Sequence, residues 1–214
     1  MTPEELRTAR NEKLAQQIIK NLEERNMRGY YAADKAEALR IALSLIPEGA
    51  SVNMGGSVSC AQIGLVDAVR AGNYAFEDRE LCKTPEEKQE SYRRAYAADV
   101  YLGSVNALSE DGVLVNIDGN ANRVSAYAWG PQKLVLVVGM NKVAKDTDAA
   151  MKRARGEAAT INAQRFGLST PCAKTGKCFD CKSPDTICCQ FLITRFSRQK
   201  DRIHVILVDE NLGF

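Results

Sequence analysis

Two almost unbroken apolar runs, Lys133–Gly139 (KLVLVVG) and Arg202–Asp209 (RIHVILVD), constrain this 214-residue chain more than any other feature. A strand with one wet face alternates apolar and polar residues. A run without that alternation has to be covered on both faces, which is the condition of a strand inside a parallel sheet flanked by helices. The surrounding pattern predicts those helices. Thr2-Pro3-Glu4-Glu5 carries a capping box and a proline at the first helical position, so a helix is expected from there to about Asn26. A short strand is expected at Arg28–Ala32, and a helix capped by Asp34 that stops before Pro47. Ala50–Met54 reads as a strand, Gly55-Gly56-Ser57 as a turn and Val58–Arg70 as a helix. Further strands are expected at Tyr74–Phe76 and Asp99–Gly103, with a Thr84-capped helix to Ala97 between them. Val105–Leu108 and Val113–Ile117 read as a hairpin around Asp111-Gly112. A long helix capped by Asp146 or Thr147 should reach about Phe166. Strand–helix alternation of this kind predicts one α/β domain over 1–214 built on crossover units, and the hairpin predicts a mixed sheet.

The charge balance excludes some functions. With 29 Lys+Arg against 27 Asp+Glu, the net charge of +2 gives no electrostatic footprint for nucleic acid or an anionic membrane surface. No stretch approaches the roughly 18 apolar residues of a membrane span, and the first residues lack a secretory pattern. A cytoplasmic protein is expected. At 45% hydrophobic residues, the chain can bury a core without disulfide staples.

Seven cysteines stand out in this composition, because five of them fall between Cys172 and Cys189. Thiols stay reduced in the cytoplasm, where clustered cysteines bind metal or do redox chemistry. The spacing is C-x5-C-x2-C-x6-C-C, with Gly176 and Pro184 supplying bends. The C-x2-C pair can converge on one ion, and thiolate-only ligation suits zinc or an iron–sulfur cluster. Lys174, Lys177 and Lys182 would favour the thiolate form. The spacing matches neither a zinc ribbon nor the bacterial ferredoxin run, so it does not choose the metal. Cys172, Cys178, Cys181 and Cys188 are assigned as ligands in a metal-binding segment spanning 171–189. Cys189 is the spare, because adjacent side chains rarely converge. Cys60 is expected to pack as a small apolar residue, and Cys82 has no assigned role.

Polar residues collect at the predicted strand ends. Gly55, Gly56 and Ser57 form either a tight turn or an anion site. Asn106, Asn116, Asp118, Gly119, Asn120, Asn122, Arg123, Asn141 and Lys142 follow other strands. Any one of these asparagines could simply make a turn. Together, at the carboxyl ends of sheet strands, they predict a pocket for a small anionic ligand. The single histidine, His204, is expected to be a satisfied core residue, and Trp129 a packing anchor.

Met54-Gly55-Gly56-Ser57, GSVNALSEDGVLVNIDGNANRV (103–124), KLVLVVGMNKV (133–143) and Asn162-Ala163 together resemble the LUD-domain family, named for lactate utilisation. The cysteine segment followed by RIHVILVDENLGF resembles a cysteine-bearing branch of it. The resemblance implies a Rossmann-like α/β sandwich similar to the glucosamine-phosphate deaminase, ribose-phosphate isomerase and CoA-transferase fold. It also implies a link to lactate oxidation, in which family members act beside iron–sulfur subunits.

The leading expectation is therefore a protein of redox metabolism that binds lactate or a similar anion beside a cysteine-ligated 4Fe-4S cluster. It would act as an electron relay with a redox partner protein, or as a Lewis acid if only three cysteines ligate. One alternative is a non-redox enzyme on a sugar phosphate or CoA thioester, with Glu110 and Asp111 as acid/base and a structural zinc. Another is a non-catalytic regulatory or assembly subunit. A homo-oligomer is compatible with each.

Overall fold

The computed structural model describes all residues from Met1 to Phe214. The elements follow in the order α1 (Pro3–Glu23), β1 (Arg28–Ala32), α2 (Lys35–Ser44), β2 (Ser51–Met54), α3 (Val58–Gln62), α4 (Leu65–Ala71), β3 (Ala75–Phe76), α5 (Pro85–Arg94), β4 (Val100–Gly103), β5 (Ala107–Ser109), β6 (Leu114–Asp118), α6 (Asn122–Ala128), β7 (Lys133–Gly139), β8 (Val143–Ala144), α7 (Thr147–Arg153), α8 (Ala159–Arg165), α9 (Pro171–Thr175), β9 (Gln190–Thr194) and β10 (Ile203–Val208).

The central sheet has six strands in the order β1-β10-β7-β4-β2-β3. Every pairing in it is parallel. The two apolar runs are neighbours at its middle, with Ile203 opposite Leu134 and Val208 opposite Gly139. Period-2 geometry divides their side chains between the faces. Val135, Val137, Ile206 and Val208 pack with Ala38, Ala42 and Leu65 of α2 and α4 on one side. Leu134, Leu136, Val138, Val205 and Leu207 pack with Ile18 and Leu22 of α1 on the other.

The predicted hairpin is real but lies elsewhere. It does not add an antiparallel strand to the central sheet. Instead β5 and β6 belong to a separate four-stranded mixed sheet, in the order β8-β5-β6-β9. Leu108 and Leu114 fill the core beneath α1, while Ala107, Val115 and Ile117 on the opposite face pack on Ala150, Ala154 and Ala159. A hairpin two strands wide cannot bury both faces by itself, and covering it requires this second layer.

Local chemistry accounts for most of the remaining differences. The helix expected over 58–70 breaks at Gly64, whose φ of +76° ends α3. The long helix after Asp146 contains a π-helical turn at Ala154–Ala158 between α7 and α8. Asp146, not Thr147, is its cap and accepts from the Ala149 amide at 2.8 Å. Neither α6 nor β9 is expected from periodicity. α6 follows Ala121, a non-glycine residue with φ of +63°. Its terminal carbonyls at Ala126 and Tyr127 accept from the buried Arg202 guanidinium, which reaches them from just before β10. Trp129 is not a packing anchor. It is 71% exposed, and its ring lies 6.2 Å from that of Tyr96 in the turn before β4. No helix is long and apolar enough to cross a membrane.

α1 approaches β1 closely enough that only glycine fits at the contact. A Cβ on Gly29 would lie 2.7 Å from Ile19 Cγ1 and 3.0 Å from Ile19 Cα. Gly29→Ala should destabilise the fold by about 1–3 kcal/mol in denaturant unfolding, because the obstruction includes helix backbone.

Candidate functional site

Parallel strands bring all their carboxyl ends to one edge of the sheet, and the main cleft opens there. Gly55-Gly56-Ser57 follows β2, Gly103-Ser104 ends β4, and Lys142 follows β7. The cleft has a volume of about 270 Å³, room for a small ligand. Its lining includes Gly55, Gly56, Ser57, Asn106, Asp118, Gly119, Asn120, Asn122, Arg123 and Lys142 of the expected pocket.

Arg123 organises this wall. Its Nη1 donates to the Ser104 carbonyl at 3.2 Å and to Asn116 Oδ1 at 3.0 Å. Its Nη2 donates to Asn106 Oδ1 at 3.0 Å and to the Ile117 carbonyl at 2.6 Å. The Asp118 carboxylate sits beside its Nε at 3.6 Å and accepts the backbone amides of Asn120, Ala121, Arg123 and Val124, so it caps α6. Asn106, Asn116 and Asp118 are therefore framework that orients Arg123, and the amide nitrogen of Asn116 has no hydrogen-bond partner. Gly55 and Gly56 are not a left-handed turn. A Cβ on Gly55 would lie 3.1 Å from the Tyr101 hydroxyl, and one on Gly56 would lie 2.5 Å from the Arg79 guanidinium. The glycines leave room for cations over the backbone.

Arg79, Lys88 and Arg165 also line the cleft and were not singled out in the sequence. Arg79 lies in a short 3₁₀ turn, Lys88 on α5 and Arg165 at the end of α8, with its guanidinium 4.2 Å from the Phe166 ring centroid. Nothing in their local sequence separates them from ordinary surface cations. Together with Arg123 and Lys142 they outweigh Asp118, the only carboxylate side chain of the lining. This excess attracts anions.

Lys142 is the most unusual of these groups. It is 3% exposed, and its Nζ meets Ser59 Oγ at 3.0 Å and Ser104 Oγ at 2.9 Å. Burial, with Arg153 and Arg123 as neighbouring cations, brings its ammonium down to about 7. The adjacent Cys60 thiol is held at about 11 by burial and donates to the Gly103 carbonyl at 3.2 Å.

Several expected residues lie elsewhere. Glu110 and Asp111 do not line the cleft. They occupy the turn of the β5–β6 hairpin, whose open end, Asn106 and Asp118, faces the cleft. Three extended residues place the turn about 10 Å away. There the Glu110 and Asp111 carbonyls accept from Asn21 and Arg25 of the α1 region, and the Asp111 carboxylate pairs with Arg25 at 2.8 Å. Asn141 ties down the chain end through the Leu212 amide at 3.0 Å. His204 is satisfied, with Nδ1 3.0 Å from the Tyr30 hydroxyl and Nε2 2.8 Å from the Asp201 carbonyl.

The cysteine segment forms a second, smaller cavity of about 60 Å³. Cys172, Cys178, Cys181 and Cys188 all line it, and Cys189 does not. Cys189 is exposed and donates to the Thr186 carbonyl. All the cysteines are free thiols, and no three side chains of the metal-ligating types are drawn together tightly enough to hold an ion as they stand. Burial raises the Cys188 thiol to about 11, and Cys178, Cys172 and Cys181 push it in the same direction. Ile187 is shared between the two cavities. Its Cα would lie 3.2 Å from a Cβ on Gly119, so the cysteine loop packs directly on the cleft wall.

A family model described as LUD domain matches residues 15–208. A crystal structure of a DUF162 family protein from Deinococcus radiodurans is similar, with a TM-score of 0.52 at 11% identity, covering 92% of this chain and 98% of that one. That likeness shows a common fold. No curated protein matches the chain.

The buried lysine carries a stability signature. Its native value lies below the unfolded one, so between about pH 7 and 10 the unfolded state binds more protons and stability rises with pH. Lys142→Met should therefore raise the melting temperature at pH 6, and the advantage should shrink toward pH 10 in calorimetric scans.

Proposed function

We propose, from the premise that the chain belongs to the LUD-domain family, that its cationic cleft binds a small anion such as a 2-hydroxy acid, next to an iron–sulfur cluster held by Cys172, Cys178, Cys181 and Cys188. The observation that carries this reading is the shared Ile187 wall, which puts a four-thiol cavity against a cleft rich in arginine and lysine. Four thiols around one cavity are the donor set of a 4Fe-4S cluster. When bound, a fully thiolate-ligated cluster supplies electron transfer. This favours the relay version over an iron with an open Lewis-acid position, and a relay needs a redox partner protein.

The chain's own residues bind and orient the ligand. Arg79 and Arg165 are the cations with guanidinium donors to spare, because those of Arg123 are already engaged by Ser104, Asn116, Asn106 and Ile117. A carboxylate seated between them would form charge-assisted hydrogen bonds. Arg123 holds the wall in place, and the glycines of the β2 loop leave room for Arg79 and Arg123 to lie against the backbone.

Protein purified without air should contain about four irons per chain and show a cluster spectrum by absorption and EPR. Cys178→Ser and Cys181→Ser should lose the iron, whereas Cys189→Ser should keep it. Zinc in place of iron would favour the non-redox reading, and neither metal would remove the cluster. Arg79→Ala and Arg165→Ala should each weaken binding of lactate or oxalate by about tenfold or more while leaving metal content unchanged, as measured by titration calorimetry.

A further inference from the structure

We infer that Lys142 is a catalytic nucleophile whose uncharged amine condenses with the carbonyl carbon of an anionic aldehyde or 2-oxo acid bound in the cleft. The inference rests on the anion-binding reading above and deepens it, by naming a carbonyl as the group that the site engages.

Geometry supports it first. Lys142 is the one lysine that is buried and also lines the cleft floor. Its hydrogen-bond partners are the Ser59 and Ser104 hydroxyls, at 3.0 and 2.9 Å, and no carboxylate. A structural lysine at this depth would be expected to pair with an acid, since an unpaired buried ammonium is costly. The groups facing it do not supply one. From α3 comes the Cys60 thiol, which burial keeps protonated. From α6 comes Arg123, and from α7 comes Arg153, which is occupied by the Asn106 and Asn141 carbonyls and by Glu157. Two cations and desolvation all favour the neutral amine, with a midpoint of about 7. A desolvated lysine beside other cations is a common means of activating a nucleophilic amine.

The serines suit the chemistry that follows. As the nitrogen lone pair forms the C–N bond, the carbonyl π pair moves to oxygen. The proton lost by nitrogen can pass through the Ser104 or Ser59 hydroxyl to that oxygen, giving a carbinolamine. Breaking the C–O bond, with a proton from solvent delivered to the departing oxygen through a serine hydroxyl, then releases water and leaves a protonated imine. The step consumes one carbonyl, one amine and one proton and forms one protonated imine and one water, with no oxidant or reductant. The carboxylate of the substrate would be held by Arg79 and Arg165 while its carbonyl meets Nζ.

Reductive trapping tests this on the intact wild-type chain. With limiting glyoxylate and cyanoborohydride at pH 7.5, peptide mass spectrometry should find the carboxymethyl group on Lys142 about 600-fold faster than on the exposed Lys13, Lys20 and Lys200, from the difference in uncharged fraction. The Lys142 rate should titrate with a midpoint near 7, and oxalate, an anion without an electrophilic carbonyl, should protect it. Arg79→Ala should slow trapping by glyoxylate but not by neutral acetaldehyde. If oxalate binds by calorimetry yet Lys142 reacts no faster than the exposed lysines, the nucleophile is refuted and the anion site survives. If Lys142 reacts fast but equally with glyoxylate and acetaldehyde and oxalate does not protect, the anionic-substrate half fails and the nucleophilic amine stands.

Discussion

The Arg123 guanidinium holds together the parts on which the site depends. It joins the Ser104 carbonyl after β4, the Asn106 and Asn116 side chains of the hairpin and the Ile117 carbonyl, while Asp118 next to it caps α6. These contacts attach the small mixed sheet to the carboxyl edge of the large parallel one. Without such a link the open end of the hairpin would lose its polar tie to the carboxyl edge of the large sheet, and its apolar faces fix depth but not direction. A cation with rigid planar donors fixes direction as well. The price is that Arg123, the arginine the sequence points to, has little left to offer a ligand.

Ligand chemistry therefore passes to less conspicuous residues. Arg79 and Arg165 reach the cleft from a 3₁₀ turn and a helix end far apart in sequence, and Gly56 is small because Arg79 lies over it. Lys142 comes from a 3₁₀ turn immediately after β7, where the chain leaves the core and a long side chain can still turn inward to the two serines. Placing this amine among cations lowers its charge at neutral pH and destabilises the protonated fold, as expected where function and stability compete.

The cysteine loop adds a second compartment rather than a second domain. α9 and the coil after it fold back on the cleft wall, and β9 then joins β6 as the edge of the small sheet. Gly119 gives the loop its closest approach, through Ile187. Four thiols face one cavity because the C-x2-C pair and the two outer cysteines are anchored on either side, by Thr170 capping α9 and by the Asp118 carbonyl holding the Cys189 amide. The second anchor also explains the odd cysteine. With its backbone bound to β6, Cys189 turns its sulfur outward as the preceding Cys188 turns inward.

Much of this was legible in the sequence because it depends on short-range rules. The apolar runs at 133–139 and 203–208 had to be interior parallel strands, the caps at Thr2, Asp34 and Thr84 set helix starts, and the cysteine spacing separated Cys189 from four thiols that share a cavity. Strand-end placement also located much of the cleft. Tertiary structure decided what depends on distant segments meeting. It sent Glu110 and Asp111 to the far end of the hairpin, because strand direction and not sequence proximity sets which end of a hairpin faces a site. It made a structural hub of Arg123, brought Arg79 and Arg165 to the cleft, and buried Lys142 without an acid. A local pattern reports whether a side chain can be covered. Only the assembled fold determines by what, and that environment sets the charge and reactivity of the groups in the cleft.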